Sequence, residues 1–111
     1  MNFSIKKRGE EEGLELKIGS YTLSRISGTS IKSGVYLKGP NHERGTLFGA
    51  DETVSREHLR INTSESGVTL TDKKSRNGTY VNEERIEEET LTEGEYEIRV
   101  GMNTLFELLI S

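Results

Sequence analysis

An all-β sandwich is predicted for this chain, a single domain spanning residues 1–111 with about ten to eleven short, mostly antiparallel strands. Three observations predict it. Apolar residues alternate with polar ones in short runs, turn-forming residues separate those runs, and no stretch carries the apolar stripe of an amphipathic helix.

The runs come in this order. Phe3 and Ile5 alternate, then Leu14, Leu16 and Ile18, with Tyr21 and Leu23 following. Val35 and Leu37 make the next pair, then Leu59 and Ile61, Val68 and Leu70, and Tyr96, Ile98 and Val100. A last run extends from Leu105 to Ile110. Period two places one face of each run in a core and the other toward water. Between the runs lie Gly19-Ser20, Ser33-Gly34, Gly39-Pro40-Asn41, Ser66-Gly67, Asn77-Gly78, Glu93-Gly94 and Gly101-Met102-Asn103, all turn formers. Asp51 to Arg60 has helix-forming residues, but Val54 and Leu59 are too few apolar positions for a stripe. The least patterned segment, Gly39 to Glu52, reads as a long surface loop.

Composition narrows the function classes. The net charge is −4 and the isoelectric point is near 5.3, so a general nucleic-acid binder, which needs a basic field, is not expected. The glutamate runs Glu10–Glu12 and Glu83, Glu84 and Glu87–Glu89 read as solvated loops. The absence of cysteine excludes disulfides and thiolate metal sites. His42 and His58 have no paired spacing, so no metal site and no cofactor is expected. No apolar stretch suits a membrane span or a secretory signal, and a cytoplasmic location without membrane partners is the expectation.

Enzyme signatures are absent: there is no Gly-x-Ser-x-Gly elbow and no phosphate loop. Ser55 and His58 could be read as a nucleophile and base, but three residues apart on an extended segment they face opposite ways. No catalytic residues are assigned, and the chain is not expected to be an enzyme.

Two polar segments remain, Val54-Ser55-Arg56-Glu57-His58 and Ser75-Arg76-Asn77-Gly78-Thr79-Tyr80-Val81-Asn82. Two alternating runs joined by a polar turn lie between them. Antiparallel pairing of those runs carries both segments to one end of the sheet, so Ser55, Arg56, Arg76 and Asn77 cluster. Such a cluster suits a phosphorylated peptide. Arginine offers a planar fork of donors, serine a short hydroxyl, and asparagine an acceptor and donors for an extended backbone. Singly, each residue reads more blandly: the arginines as surface charges, His58 as a bonded structural histidine, Asn77-Gly78 as a type I′ hairpin turn.

The order Ser55-Arg-x-His58, a short hairpin, Asp72, Ser75, Asn77-Gly78-Thr79 and Val81-Asn82 resembles the core signature of forkhead-associated (FHA) domains. Leu91-x-x-Gly94 and Ile98-x-Val100-Gly101 are similar to the family's closing strands. The resemblance implies the FHA-like (SMAD/FHA) sandwich and recognition of a phosphothreonine-containing protein segment, written by an upstream Ser/Thr kinase. It implies that Ser55 bonds the phosphate, that Arg56 and Arg76 add phosphate or peptide contacts, and that Asn77 holds the peptide backbone. His58, Gly78, Thr79 and Asn82 would be architectural, and a niche for the threonine methyl would favour phosphothreonine over phosphoserine.

The family's Gly-Arg pair at the end of an early strand is replaced here by Ser24-Arg25. Arg25 is the expected main phosphate ligand, and Arg44, before Gly45, is the rival. The segment from Arg25 to Ser55 is longer than usual for the family, and the excess is assigned to the loop at 39–52. The alternative function is a degenerate FHA scaffold for phospho-independent interaction or oligomerisation.

Overall fold

The computed structural model describes residues 1–27, 33–40 and 44–111. Its described residues form twelve strands in two sheets, with no helix. In chain order these are β1 (Phe3–Lys7), β2 (Leu14–Leu16), β3 (Gly19–Ile26), β4 (Gly34–Lys38), β5 (Arg44–Gly49) and β6 (Leu59–Ser64). There follow β7 (Gly67–Asp72), β8 (Thr79–Val81), β9 (Glu84–Ile86), β10 (Glu88–Leu91), β11 (Gly94–Val100) and β12 (Thr104–Ile110). One sheet has the order β2-β1-β12-β11-β8-β9, the other β10-β7-β6-β3-β4-β5, and every pairing is antiparallel. Among the described residues no helix is long and apolar enough to cross a membrane.

The alternating residues meet between the sheets. Phe3, Ile5, Ile98, Val100, Phe106, Leu108 and Ile110 from the first sheet pack on Leu23, Val35, Leu37, Leu59, Ile61, Val68 and Leu70 from the second. All are essentially buried. Burying one such side chain contributes roughly 1.5–3 kcal/mol relative to leaving it in water, so the alternation itself sets which face of each strand turns inward.

Three expectations need correction. Glu84, Glu88 and Glu89 are exposed as expected but lie in strands β9 and β10, not in a loop. The predicted loop at 39–52 contains strand β5, whose backbone pairs with β4 through Val35↔Gly49, Tyr36↔Leu47 and Lys38↔Arg44. Two register shifts interrupt this ladder, which is why no clean alternation marked it in the sequence. Residues 41–43 of that predicted loop, His42 among them, lie outside the described residues. Ile18 does not continue the alternation of Leu14 and Leu16: it is 60% exposed at the tip of the β2–β3 turn. Thr63 fixes that tip, its hydroxyl donating to Lys17 O at 2.6 Å and accepting from Gly19 N at 2.9 Å.

The pairing of β6 with β7 runs from Leu59↔Asp72 to Ser64↔Gly67. The segments before β6 and after β7 therefore leave the sheet side by side. Lys73 N donates to His58 O at 2.9 Å at the point where they part.

Candidate functional site on the loop end of the sandwich

Arg25 sits one residue before the end of β3 and reaches this junction through backbone and side chain together. Its N–H donates to the carbonyls of Ser55 and Arg56, at 3.3 and 3.2 Å. Its Nε donates to Val54 O at 2.6 Å, which leaves the two terminal nitrogens of the guanidinium without a partner among the described residues. The Arg44 backbone lies further along the sheet. Its ladder partner is Lys38, whereas Arg25 pairs with Val35, three residues away on β4, about 10 Å along the strand.

The Ser55 and Asn77 segments are bonded directly to each other. Arg76 N donates to Ser55 Oγ at 3.0 Å, so the hydroxyl keeps its own hydrogen to donate outward. Asn77 Nδ2 donates to Thr53 O at 2.8 Å, leaving Oδ1 without a partner among the described residues. Ser55 and Asn77 are half-buried, while Arg56 and Arg76 are exposed. Among the described residues no carboxylate lies within ion-pair distance of Arg25, Arg56 or Arg76. A hydroxyl donor and three guanidinium groups thus share one end of a protein whose net charge is negative.

His58 holds the two segments together from beneath. It is fully buried. Nδ1 accepts from Ser55 N at 2.9 Å, and Nε2 lies 2.7 Å from Gly78 O. Because a backbone N–H can only donate, Nδ1 is unprotonated and Nε2 carries the hydrogen. Desolvation pushes this imidazole below its ordinary value and outweighs the Gly78 carbonyl and the Asp72 charge, which pull the other way. Both ring nitrogens are therefore engaged with backbone, and the Ser55 hydroxyl is bonded to Arg76 instead. The arrangement is not that of a nucleophile and its base.

Asp72 organises the second segment. Its Oδ1 accepts from Ser75 Oγ at 2.6 Å and Thr79 Oγ1 at 2.8 Å, and its Oδ2 accepts from Ser75 N at 3.0 Å. Burial pushes this carboxyl up, and the bonds from Ser75 and Thr79 together hold it below its ordinary value. Gly78 N donates to Ser75 Oγ at 3.0 Å, and its carbonyl takes a second bond from Gly101 N. Gly78 has φ +85°, a conformation open to glycine and strained for other residues. Asn77 does not share that positive φ, so Asn77-Gly78 is not the type I′ turn its sequence suggests. That turn instead falls one strand later, at Asn82 (φ +48°) and Glu83 (φ +73°), between the paired residues Val81 and Glu84. Asn82 also accepts from Glu97 N through Oδ1 and donates its own N–H to Glu97 O.

The sequence reading did not single out the brace behind Thr53. Asp51 Oδ1 accepts from Thr53 N and Thr53 Oγ1, and Oδ2 accepts from Thr104 Oγ1 at 2.6 Å. Thr53 Oγ1 in turn accepts from Met102 N. Burial raises the Asp51 carboxyl, and the bonds from Thr104, Thr53 and Asn103 bring it below its ordinary value. The Asp-x-Thr spacing is the signal available in sequence, since an aspartate often bonds the backbone two residues on. Among the described residues no cluster of metal-ligating side chains occurs.

Fold and site together define a class: an antiparallel β-sandwich whose polar site is built on cross-bonded loops at one end. The profile of the family described as FHA domain matches residues 37–101, more than half of the chain, and this protein belongs to that family. A comparison with curated proteins gives no significant match. Among solved structures the chain is similar to Mycobacterium tuberculosis EmbR in complex with a low-affinity phosphopeptide, at 22% identity and a TM-score of 0.72, covering 99% of this chain and 24% of that one. The chain thus spans about a quarter of the EmbR chain it matches. It is also similar to the FHA domain of CT664 from Chlamydia trachomatis, at 22% identity and a TM-score of 0.67, covering 100% and 99% of the two chains. A domain from a structural and functional study of phosphothreonine-dependent FHA interactions gives 24% identity and a TM-score of 0.66, covering 100% and 98%.

Proposed function

We propose that this domain binds a phosphothreonine-containing segment of a partner protein and performs no catalysis. The observation that carries the reading is the junction at Ser55. There a hydroxyl free to donate stands between the Arg25 and Arg76 segments, with no carboxylate paired to their guanidinium groups among the described residues. A phosphate monoester brings about −1.5 to −2 charges and three strong acceptors, which match those donors. In this reading Arg25, Ser55 and Arg56 or Arg76 take the phosphate, and Asn77 Oδ1 accepts from the ligand backbone. His58, Gly78, Thr79 and Asn82 keep the loops in register. In the same reading a Ser/Thr kinase acting upstream writes the mark, and the domain works in the cytoplasm.

The deciding experiment is a titration with matched peptides carrying phosphothreonine, threonine or phosphoserine. Saturable binding in the micromolar range, roughly −8 kcal/mol, is expected for the phosphothreonine peptide alone. Equal binding of all three would replace this reading with a phospho-independent scaffold.

A further inference from the structure

The outer face of the first sheet carries a charge pattern that the phosphate site does not use. Phe106 and Leu108 are buried, so Glu107 between them faces outward from β12. Its ladder partners are Lys6 on β1 and Glu97 on β11. Two residues on, Leu109 lies opposite Ser4 and Glu95 and is 40% exposed. Glu11, from the turn between β1 and β2, adds a wall, and the result is a cleft of about 450 Å³ on the sheet face. Glu11, Glu95, Glu97 and Glu107 line it against one base, Lys6, which meets Glu107 at 3.7 Å.

Like charges directly opposite each other in a ladder destabilise it. Glu97 and Glu107 are such a pair, and among the described residues no base but Lys6 comes within 4.0 Å of either. The chain also has cations that lack carboxylates among the described residues: Arg25, Arg56 and Arg76 at the loop end, with Arg85 beside Gly78. Glu97 is three residues from Val100 at that end of β11, about 10 Å along the strand. Within one copy the two surfaces make no ion pair among the described residues. Between two copies they are complementary. Opposed residues on one sheet face have Cβ atoms about 5 Å apart. Glu97 and Glu107 therefore offer two negative charges and four acceptor oxygens side by side, close to the roughly −2 charge and three acceptors of a phosphate monoester. Exposed Arg56 and Arg76 can lay their aliphatic stems on Leu109 while their guanidinium groups meet those carboxylates.

We propose that the outer face of the first sheet docks the arginine-bearing loop end of a second copy of this chain, and that a phosphorylated partner segment competes with that copy for the same arginines. The competition rests on the phosphothreonine reading above, and the docking does not. Two different patches meet in this contact, so a docked pair keeps one free face and one free loop end, and further copies can add to it. Phosphorylated ligand then converts the associated form into single, occupied domains.

Sedimentation velocity tests this. The weight-average mass of the unaltered chain should rise with concentration up to about 1 mM, the range of weak association. It should fall back as ionic strength goes from about 0.05 to 0.5 M. Saturating phosphothreonine peptide should return the chain to monomer, and the unphosphorylated peptide should not. Two double variants separate the patches, Glu97→Gln with Glu107→Gln and Arg56→Glu with Arg76→Glu. Each alone should stay monomeric. Their equimolar mixture should form a dimer and nothing larger, because each variant supplies one intact patch. The glutamine variant should keep the peptide affinity of the unaltered chain. A chain that binds the peptide yet stays monomeric at every concentration and salt overturns the docking and leaves the phosphothreonine reading standing. A mixture that stays monomeric, from variants with the unaltered melting temperature, overturns it equally. Association that persists with peptide bound places the contact elsewhere and overturns it as well. A peptide that fails to bind, beside variants that dimerise on mixing, removes the phosphothreonine reading and the competition while the docking stands.

Discussion

His58 has no freedom in its protonation. Ser55 N–H requires an acceptor at Nδ1, and Gly78 O requires a donor at Nε2, so the neutral ring with hydrogen on Nε2 satisfies both and the doubly protonated ring breaks the first bond. Its folded pKa lies below the ordinary 6.5, so the unfolded chain takes up a proton first as pH falls. The stability His58 contributes is complete above pH 6.5 and is lost as pH drops from there through the depressed folded value. Denaturant titrations at pH 8, 6.5 and 5 should show that decline, and His58→Gln should lack it. Asp51 and Asp72 act lower: their contribution is complete above the ordinary 3.8 and disappears only as pH falls through their depressed folded values. Ligand affinity should follow a different group, the phosphate's own second ionisation near ~6, because both His58 nitrogens are bonded to backbone. At Arg25 the expected outcome is a separation of stability from binding. Arg25→Ala removes one bond to Val54 O, costing the fold about 1 kcal/mol, while peptide binding should lose about 2–5 kcal/mol. Isothermal titration beside thermal melts checks both, and unchanged affinity would remove Arg25 from the site.

At the scale of elements, the β8–β9 hairpin is a two-residue turn with both residues at positive φ. Asn82 tolerates that conformation and is held by Glu97, whereas Glu83 at φ +73° carries strain that glycine would not. Glu83→Gly should therefore stabilise the domain, by up to about 1 kcal/mol in denaturant titrations. Gly78 runs the other way. Gly78→Ala puts a Cβ at positive φ against Arg85 and Tyr80, and it should destabilise by more than about 1 kcal/mol. The two changes test one argument from opposite sides, since the first relieves a strained turn and the second imposes strain on a satisfied one.

At the scale of the molecule, charge and core are distributed differently. The chain is acidic as a whole, yet Arg25, Arg56, Arg76 and Arg85 gather at one end without ion-paired carboxylates among the described residues. Attraction of a phosphorylated ligand to that end should be screened by salt. Raising ionic strength from about 0.05 to 0.5 M should weaken binding several-fold while the melting temperature changes little. The core crosses the whole sandwich. Phe106 is 1% exposed and packs 5.6 Å from the Phe48 ring, centre to centre. Phe106→Ala should cost about 3–5 kcal/mol, read from denaturant midpoints, and should lower binding only through unfolding.

The alternation of Phe3 and Ile5, Leu59 and Ile61, or Tyr96, Ile98 and Val100 was enough to determine an all-β sandwich, because a period of two has one physical outcome when one face must leave water. The order of loop residues was enough to bring Ser55 to Arg76, because antiparallel partners return the chain to its starting end. What the sequence left open depended on contacts between segments distant in the chain. Strand β5 is defined by an irregular ladder with β4, which no local pattern announces. The type I′ turn expected at Asn77-Gly78 falls at Asn82-Glu83 instead, while Gly78 is bonded by His58, Ser75 and Gly101, partners up to 23 residues away. Where the backbones of Arg25 and Arg44 lie along the sheet belongs to the register of β3, β4 and β5, and register is a property of paired strands, never of one strand alone.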